Sequence, residues 1–215
     1  MSKLPNQFYY SKKEDRLNVI SHGLGFLLSI FGLIFLVNKG LQNFEITRFI
    51  SFLIYGVSLS TMYIASTLYH NSKTPESRYR FRLFDMISIY ILIAGSYTPF
   101  TLTVLIDKGG LVLFTLVWII AFFGIVWKIY TIGKYNLFST LLYMFMGGLW
   151  IFFFDSFINE IPTQALYWIF ASCLTYFIGV IFYLADSSIK YNHLIWHIFV
   201  LLASAFHYIS IYFYI

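Results

Sequence analysis

Of 215 residues, 60% are hydrophobic, 22% aromatic and only 11% charged, with a formal net charge of +5. A soluble domain carries about a quarter charged residues, so this chain lacks the supply for a wetted surface. Secreted, cytosolic and nucleic-acid-binding proteins are excluded, because the apolar residues form bilayer-length runs and the basic residues fall between them. The single cysteine, Cys173, also excludes an intramolecular disulfide and a Cys-rich metal module.

In chain order, a cytoplasmic N-terminal arm (1–18) precedes a seven-helix transmembrane domain (19–215). The predicted spans are 19–38, 47–70, 83–105, 110–130, 137–158, 164–185 and 193–215. Lys12, Lys13 and Arg16 before the first run resemble the start of a signal peptide. However, Leu24–Val37 is long, no small-x-small cleavage pattern follows, and the chain passes directly into another span. A closed β-barrel is excluded because stretches such as Ile119–Val126 are apolar or small at every position instead of alternating. The connections are too short for a further domain. With the N-terminus inside, the cytoplasmic set is Lys3, Lys12, Lys13, Arg16, Lys73, Arg78, Arg80, Arg82, Lys128, Lys134 and Lys190. Only Lys39, Arg48 and Lys108 fall outside. This bias predicts a cytoplasmic N-terminus and an extracytoplasmic C-terminus in an all-α bundle.

The polar residues then cluster by depth. His70 closes the second span, Asp85 lies just inside the third, and His193 and His197 open the seventh, all on the cytoplasmic side. Ser66 lies one turn deeper than His70 on the same helix face. The i, i+4 pair His193 and His197 can reach a single ion; it is the histidine half of the helical zinc-protease motif, with Leu194 where that motif has glutamate. Each residue also has a plainer reading: His70 snorkelling to the headgroups, Asp85 paired with Arg82, Ser66 bonded back to its own helix. Their coincidence at one depth favours a Zn2+ site, since ionisable groups in a membrane are costly. Three histidines would leave zinc one open position, with Asp85 as a nearby acceptor or general base and Ser66 orienting water or a carbonyl. Direct ligation by Asp85 would instead close a structural His3Asp site, and spacing leaves both open. His22, with Asn18 four residues earlier, approaches the same depth. His207 lies about 15 Å deeper than His197 and reads as an interhelical hydrogen-bond donor.

Four segments carry a family resemblance: Glu14–His22 (EDRLNVISH), Ser66–His70 (STLYH), Arg82–Phe100 (RLFDMISIYILIAGSYTPF) and Gly179–His207 (GVIFYLADSSIKYNHLIWHIFVLLASAFH). Together they resemble the hemolysin III family, the bacterial branch of the progestin and adipoQ receptors, over essentially the whole chain. The resemblance implies seven helices, a cytoplasmic N-terminus and a zinc near the cytoplasmic face. Its zinc ligands fall on His70, His193 and His197, its water-associated acid on Asp85 and its serine on Ser66. Met86 departs from the pattern, because bacterial relatives often have histidine there. The expected protein is a multi-pass component of the bacterial plasma membrane. Its partner is a membrane lipid, as substrate or ligand. The first functional expectation is an intramembrane hydrolase of lipid amides or esters with a part in lipid homeostasis. A lipid sensor or receptor with a structural zinc, and a cytolytic haemolysin, are the alternatives.

Overall fold

The computed structural model describes residues 10–42, 44–185 and 190–215. Residues 1–9 of the predicted arm (with Lys3), Asn43, and residues 186–189 of the last matching segment lie outside the described residues.

Helix α1 (Lys12–Leu41) begins inside the predicted arm instead of at 19. The cause is a capping box: the Ser11 hydroxyl accepts from the Glu14 N–H, and the Glu14 carboxylate accepts from the Ser11 N–H at 3.2 Å. The helix buries Asn18, His22, Gly25, Ser29, Gly32, Leu36 and Gly40, spaced three or four apart along one face. Leu24, Leu27, Leu28, Phe31 and Phe35 on the other side are more than half exposed. Such a helix is small and polar inside and apolar outside, the reverse of a soluble one, as lipid surroundings require. A side chain at Gly25 would run into the Tyr63 ring and Leu201, so this glycine lets α1 seat closely on its neighbours.

Helices α2 (Ile46–Asn71) and α3 (Pro75–Leu102) are joined by a tight connection ending in a Thr74–Ser77 capping box, with Pro75 in the first turn. Gly95 brings them together, because a Cβ there would overlap the Ser58 side chain. A wide turn at Ile106–Gly110, with Gly109 at φ 87°, leads into α4 (Leu111–Thr131). The fifth predicted span is long enough but is not one helix. Helix α5 (Asn136–Gly147) stops at a Gly-Gly pair, followed by 3-10 turns (Leu149–Phe153) and α6 (Phe154–Glu160). Then come α7 (Thr163–Leu184) and α8 (Asn192–Tyr214). Among the described residues, seven segments are therefore long and apolar enough to cross a membrane, at the predicted places except that α3, like α1, begins earlier, at Pro75 instead of 83. Among the described residues there is no strand.

A broken helix within a bilayer must satisfy its freed backbone groups from elsewhere in the protein. Tyr97 of α3 does this. Its hydroxyl lies 3.0 Å from the Met146 carbonyl and 2.8 Å from that of Gly147, and it accepts from the Trp150 N–H at 3.3 Å. Tyr97→Phe is expected to destabilise the protein by about 1–2 kcal/mol, the upper range for interhelical hydrogen bonds in membranes. Reversible unfolding in mixed micelles checks this; a variant as stable as wild type would show that water satisfies the break.

Helix α1 packs on α2 and α8, α2 on α3, α3 on α4, and α7 on α8, while α5 touches α3, α4 and α7 only lightly. They border a half-open cavity of about 1480 Å³, which runs from His193 and Asp85 at one end to His207 and Trp150. His207 donates from Nε2 to the Ser96 carbonyl at 3.3 Å, the interhelical bond expected of it.

Candidate metal centre

Short connections make successive spans antiparallel, so the starts of α1, α3 and α8 and the end of α2 meet at one end of the bundle. Two contacts fix where α8 begins. Glu14 accepts from the Tyr191 N–H at 2.9 Å, and the Asn192 amide donates to the Phe182 carbonyl at 2.8 Å. The first contact anchors α8 to α1 and the second to α7. His193 and His197 follow in the first two turns of α8, and His70 stands at the end of α2.

The three imidazoles converge. One ring nitrogen from each of His70, His193 and His197 lies within 4.8 Å of the others, and all three residues are buried. Three imidazole nitrogens from two helices suit a borderline cation such as zinc. His70 supports the fit most directly, because its Nε2 is buried with no hydrogen-bond partner while its Nδ1 bonds to Asp15 at 3.0 Å. A ligating histidine commonly gives its other nitrogen to a carboxylate in this way.

The outer partners come from α1 and α3. Arg78 donates to both oxygens of Asp15, each at 2.9 Å, and its side chain is fully buried over the Tyr69 ring. The Ser21 hydroxyl lies 3.1 Å from His197 Nδ1. The sequence reading missed Asp15, Ser21 and Arg78 because they resemble ordinary charges and hydroxyls near a helix end. A signal existed: Asp15, Asn18 and His22 recur at three- and four-residue spacing, a polar stripe entering an apolar helix.

The other predicted residues gather close by. Ser66, Arg82 and Asp85 all line the cavity. Among the described residues, Asp85 is not part of the group within 4.8 Å. His22 stands outside that group too, stacked on His197 with ring centroids 3.5 Å apart. Met86 is buried, and its carbonyl accepts from the Tyr143 hydroxyl at 2.9 Å.

The fold and this cluster define a class: seven-helix membrane proteins with a buried histidine triplet at one end of the bundle. A family model described as haemolysin-III related matches residues 10–208, so the chain belongs to the haemolysin III family of multi-pass bacterial membrane proteins. It is 36% identical to "Hemolysin-3" of Bacillus cereus over 203 residues, covering 94% of this chain and 92% of that protein. It is likewise 36% identical to the "Hemolysin-3 homolog" of Bacillus subtilis (strain 168) over 205 residues, 95% and 96% of the two chains. The human "Monocyte to macrophage differentiation factor" is 31% identical over 169 residues, 75% of this chain and 69% of that one. That match carries the relation to the progestin and adipoQ receptor branch.

Proposed function

We propose that this protein is a zinc-dependent hydrolase that cleaves an amide or ester bond of a membrane lipid near the cytoplasmic face. The observation that carries the proposal is the histidine triplet, two of whose members, His193 and His197, line a cavity of about 1480 Å³ whose wall also holds Ser66 and Asp85. His70, His193 and His197 would hold the ion. Zinc with three protein ligands supplies Lewis acidity and activates water near neutral pH. Asp85 accepts a proton from the attacking water and returns it to the leaving nitrogen or oxygen. The Ser66 hydroxyl orients the attacking water or the substrate carbonyl. Water adds at the carbonyl carbon, the C–N or C–O bond breaks, and a fatty acid and an amine or alcohol leave. Leu92, Leu174 and Phe177 in the cavity wall suit an acyl chain.

The test is metal analysis of purified protein together with fatty-acid release from a panel of lipid amides and esters. About one zinc per chain with turnover on at least one lipid is the expected result. A zinc-loaded protein inert on every lipid would favour the sensor or receptor reading. Lysis of erythrocytes without hydrolysis would favour cytolysis, as the names of the Bacillus relatives suggest.

The proposed orientation puts the histidine end in the cytoplasm, following the basic residues that crowd it. A reporter fused after Ile215 is expected outside, and one in the 71–82 segment inside. Both reporters on one side would overturn the orientation.

A further inference from the structure

We propose that α1 orients the metal ligands: Asp15, locked by Arg78, fixes His70, and Ser21 fixes His197, each with Nε2 turned to the ion. The inference rests on the metal reading above and assigns roles to residues outside the ligand set.

Proton accounting leads to it. The Asp15 carboxylate receives two hydrogen bonds from the buried Arg78 fork, at 2.9 Å each. It is therefore ionised and can only accept, so the 3.0 Å contact from His70 Nδ1 places the proton on Nδ1, and the Asn18 amide 3.4 Å from the same nitrogen then presents its oxygen, which otherwise has no partner. The lone pair is left on Nε2, the buried atom without a partner. The same reasoning applies to His197. The single hydroxyl proton of Ser21 is directed to the Asn18 carbonyl at 3.0 Å. With that proton so placed, its oxygen accepts at 3.1 Å from His197 Nδ1, which again leaves Nε2 as the donor to a metal. A helix with no member in the triplet thus sets the tautomer of two of its three rings. Arg78 makes the first of these rigid. A planar fork grips both carboxylate oxygens, and the Tyr69 ring lies 4.8 Å from the guanidinium carbon. Both are positioning residues, acting through the histidines they hold.

The test is zinc affinity by chelator competition on the full chain in detergent, with absorption spectra of the cobalt-loaded forms. Asp15→Ala is expected to weaken zinc about 10–100-fold and Ser21→Ala up to about tenfold, the usual range for such outer partners. Asp15→Asn keeps a carbonyl acceptor and should recover part of the loss. The cobalt ligand-field bands should shift in Asp15→Ala and Ser21→Ala, because a reoriented imidazole changes the field at the ion. A purely structural tie between α1 and its neighbours would lower thermal stability and leave affinity and bands unchanged. Asp15→Ala removes the carboxylate that both fork nitrogens of the buried Arg78 bond, and so risks the fold. Ser21→Ala changes no charge and decides the matter alone if Asp15→Ala does not fold. Wild-type protein that binds zinc, with folded variants that match its affinity and spectrum, overturns this inference and leaves the metal reading standing. Wild-type protein that holds no zinc overturns both.

Discussion

Asp85→Asn is expected to purify folded and zinc-loaded while losing hydrolysis by about 10²–10⁴-fold, the usual contribution of a general base. The substitution preserves shape and a carbonyl acceptor and removes only charge and basicity. Asp85 lines the cavity, as Ser66 does, and its oxygens do not join the three imidazole nitrogens within 4.8 Å. That placement suits a proton acceptor better than a fourth ligand. The two roles separate in one experiment, with metal content and fatty-acid release measured side by side on wild type and variant. Weakened zinc retention with an inert wild type would make Asp85 a ligand in a closed site. Normal zinc with unchanged turnover would remove it from the mechanism.

The second large effect belongs to His197→Ala, which should abolish stoichiometric zinc. His197 is 1% exposed and its ring has His70, His193 and His22 for neighbours, with centroids 5.0, 4.7 and 3.5 Å away. Its loss removes one donor of three and leaves a void that no other side chain fills without moving. Metal bound only by the folded state stabilises it by about 2.7 kcal/mol at a free concentration a hundred times Kd. Thermal unfolding of wild type should therefore shift upward with added zinc, whereas that of His197→Ala should not respond. Comparison with metal-free wild type separates the lost ion from the lost packing. Full zinc occupancy in a variant with all three histidines changed to alanine would sink the ligand assignment.

Much of this architecture is legible in one dimension. A bilayer demands continuous apolar runs of about 20 residues per helical span, so seven spans could be counted without any knowledge of contacts. Depth is legible in the same way. Once spans alternate in direction, His70, Asp85, His193 and His197 must lie near the same end. Their i, i+4 and segment-end positions follow from helix geometry alone. The start of α1 was readable as well, in the Ser11–Glu14 box, although hydropathy drew attention to the later apolar run.

Rotation about the helix axis is what depth does not supply. Which flank of α1 faces inward was decided by close packing at Gly25 against Tyr63 and Leu201. That same rotation turns Asp15 and Ser21 toward His70 and His197. The Arg78 partnership likewise needs three helix ends to meet, although Asp15 and Arg78 are 63 positions apart in the chain. The break after Gly147 belongs to the same category. Two glycines in an apolar run permit an interrupted helix but do not require one, and it persists because a hydroxyl from α3 satisfies the carbonyls of α5. Hydrophobic runs report transfer from water to lipid, a property each segment has alone. The orientation of a ligand and the satisfaction of a broken helix depend on groups from other segments, and only the packed bundle brings those together.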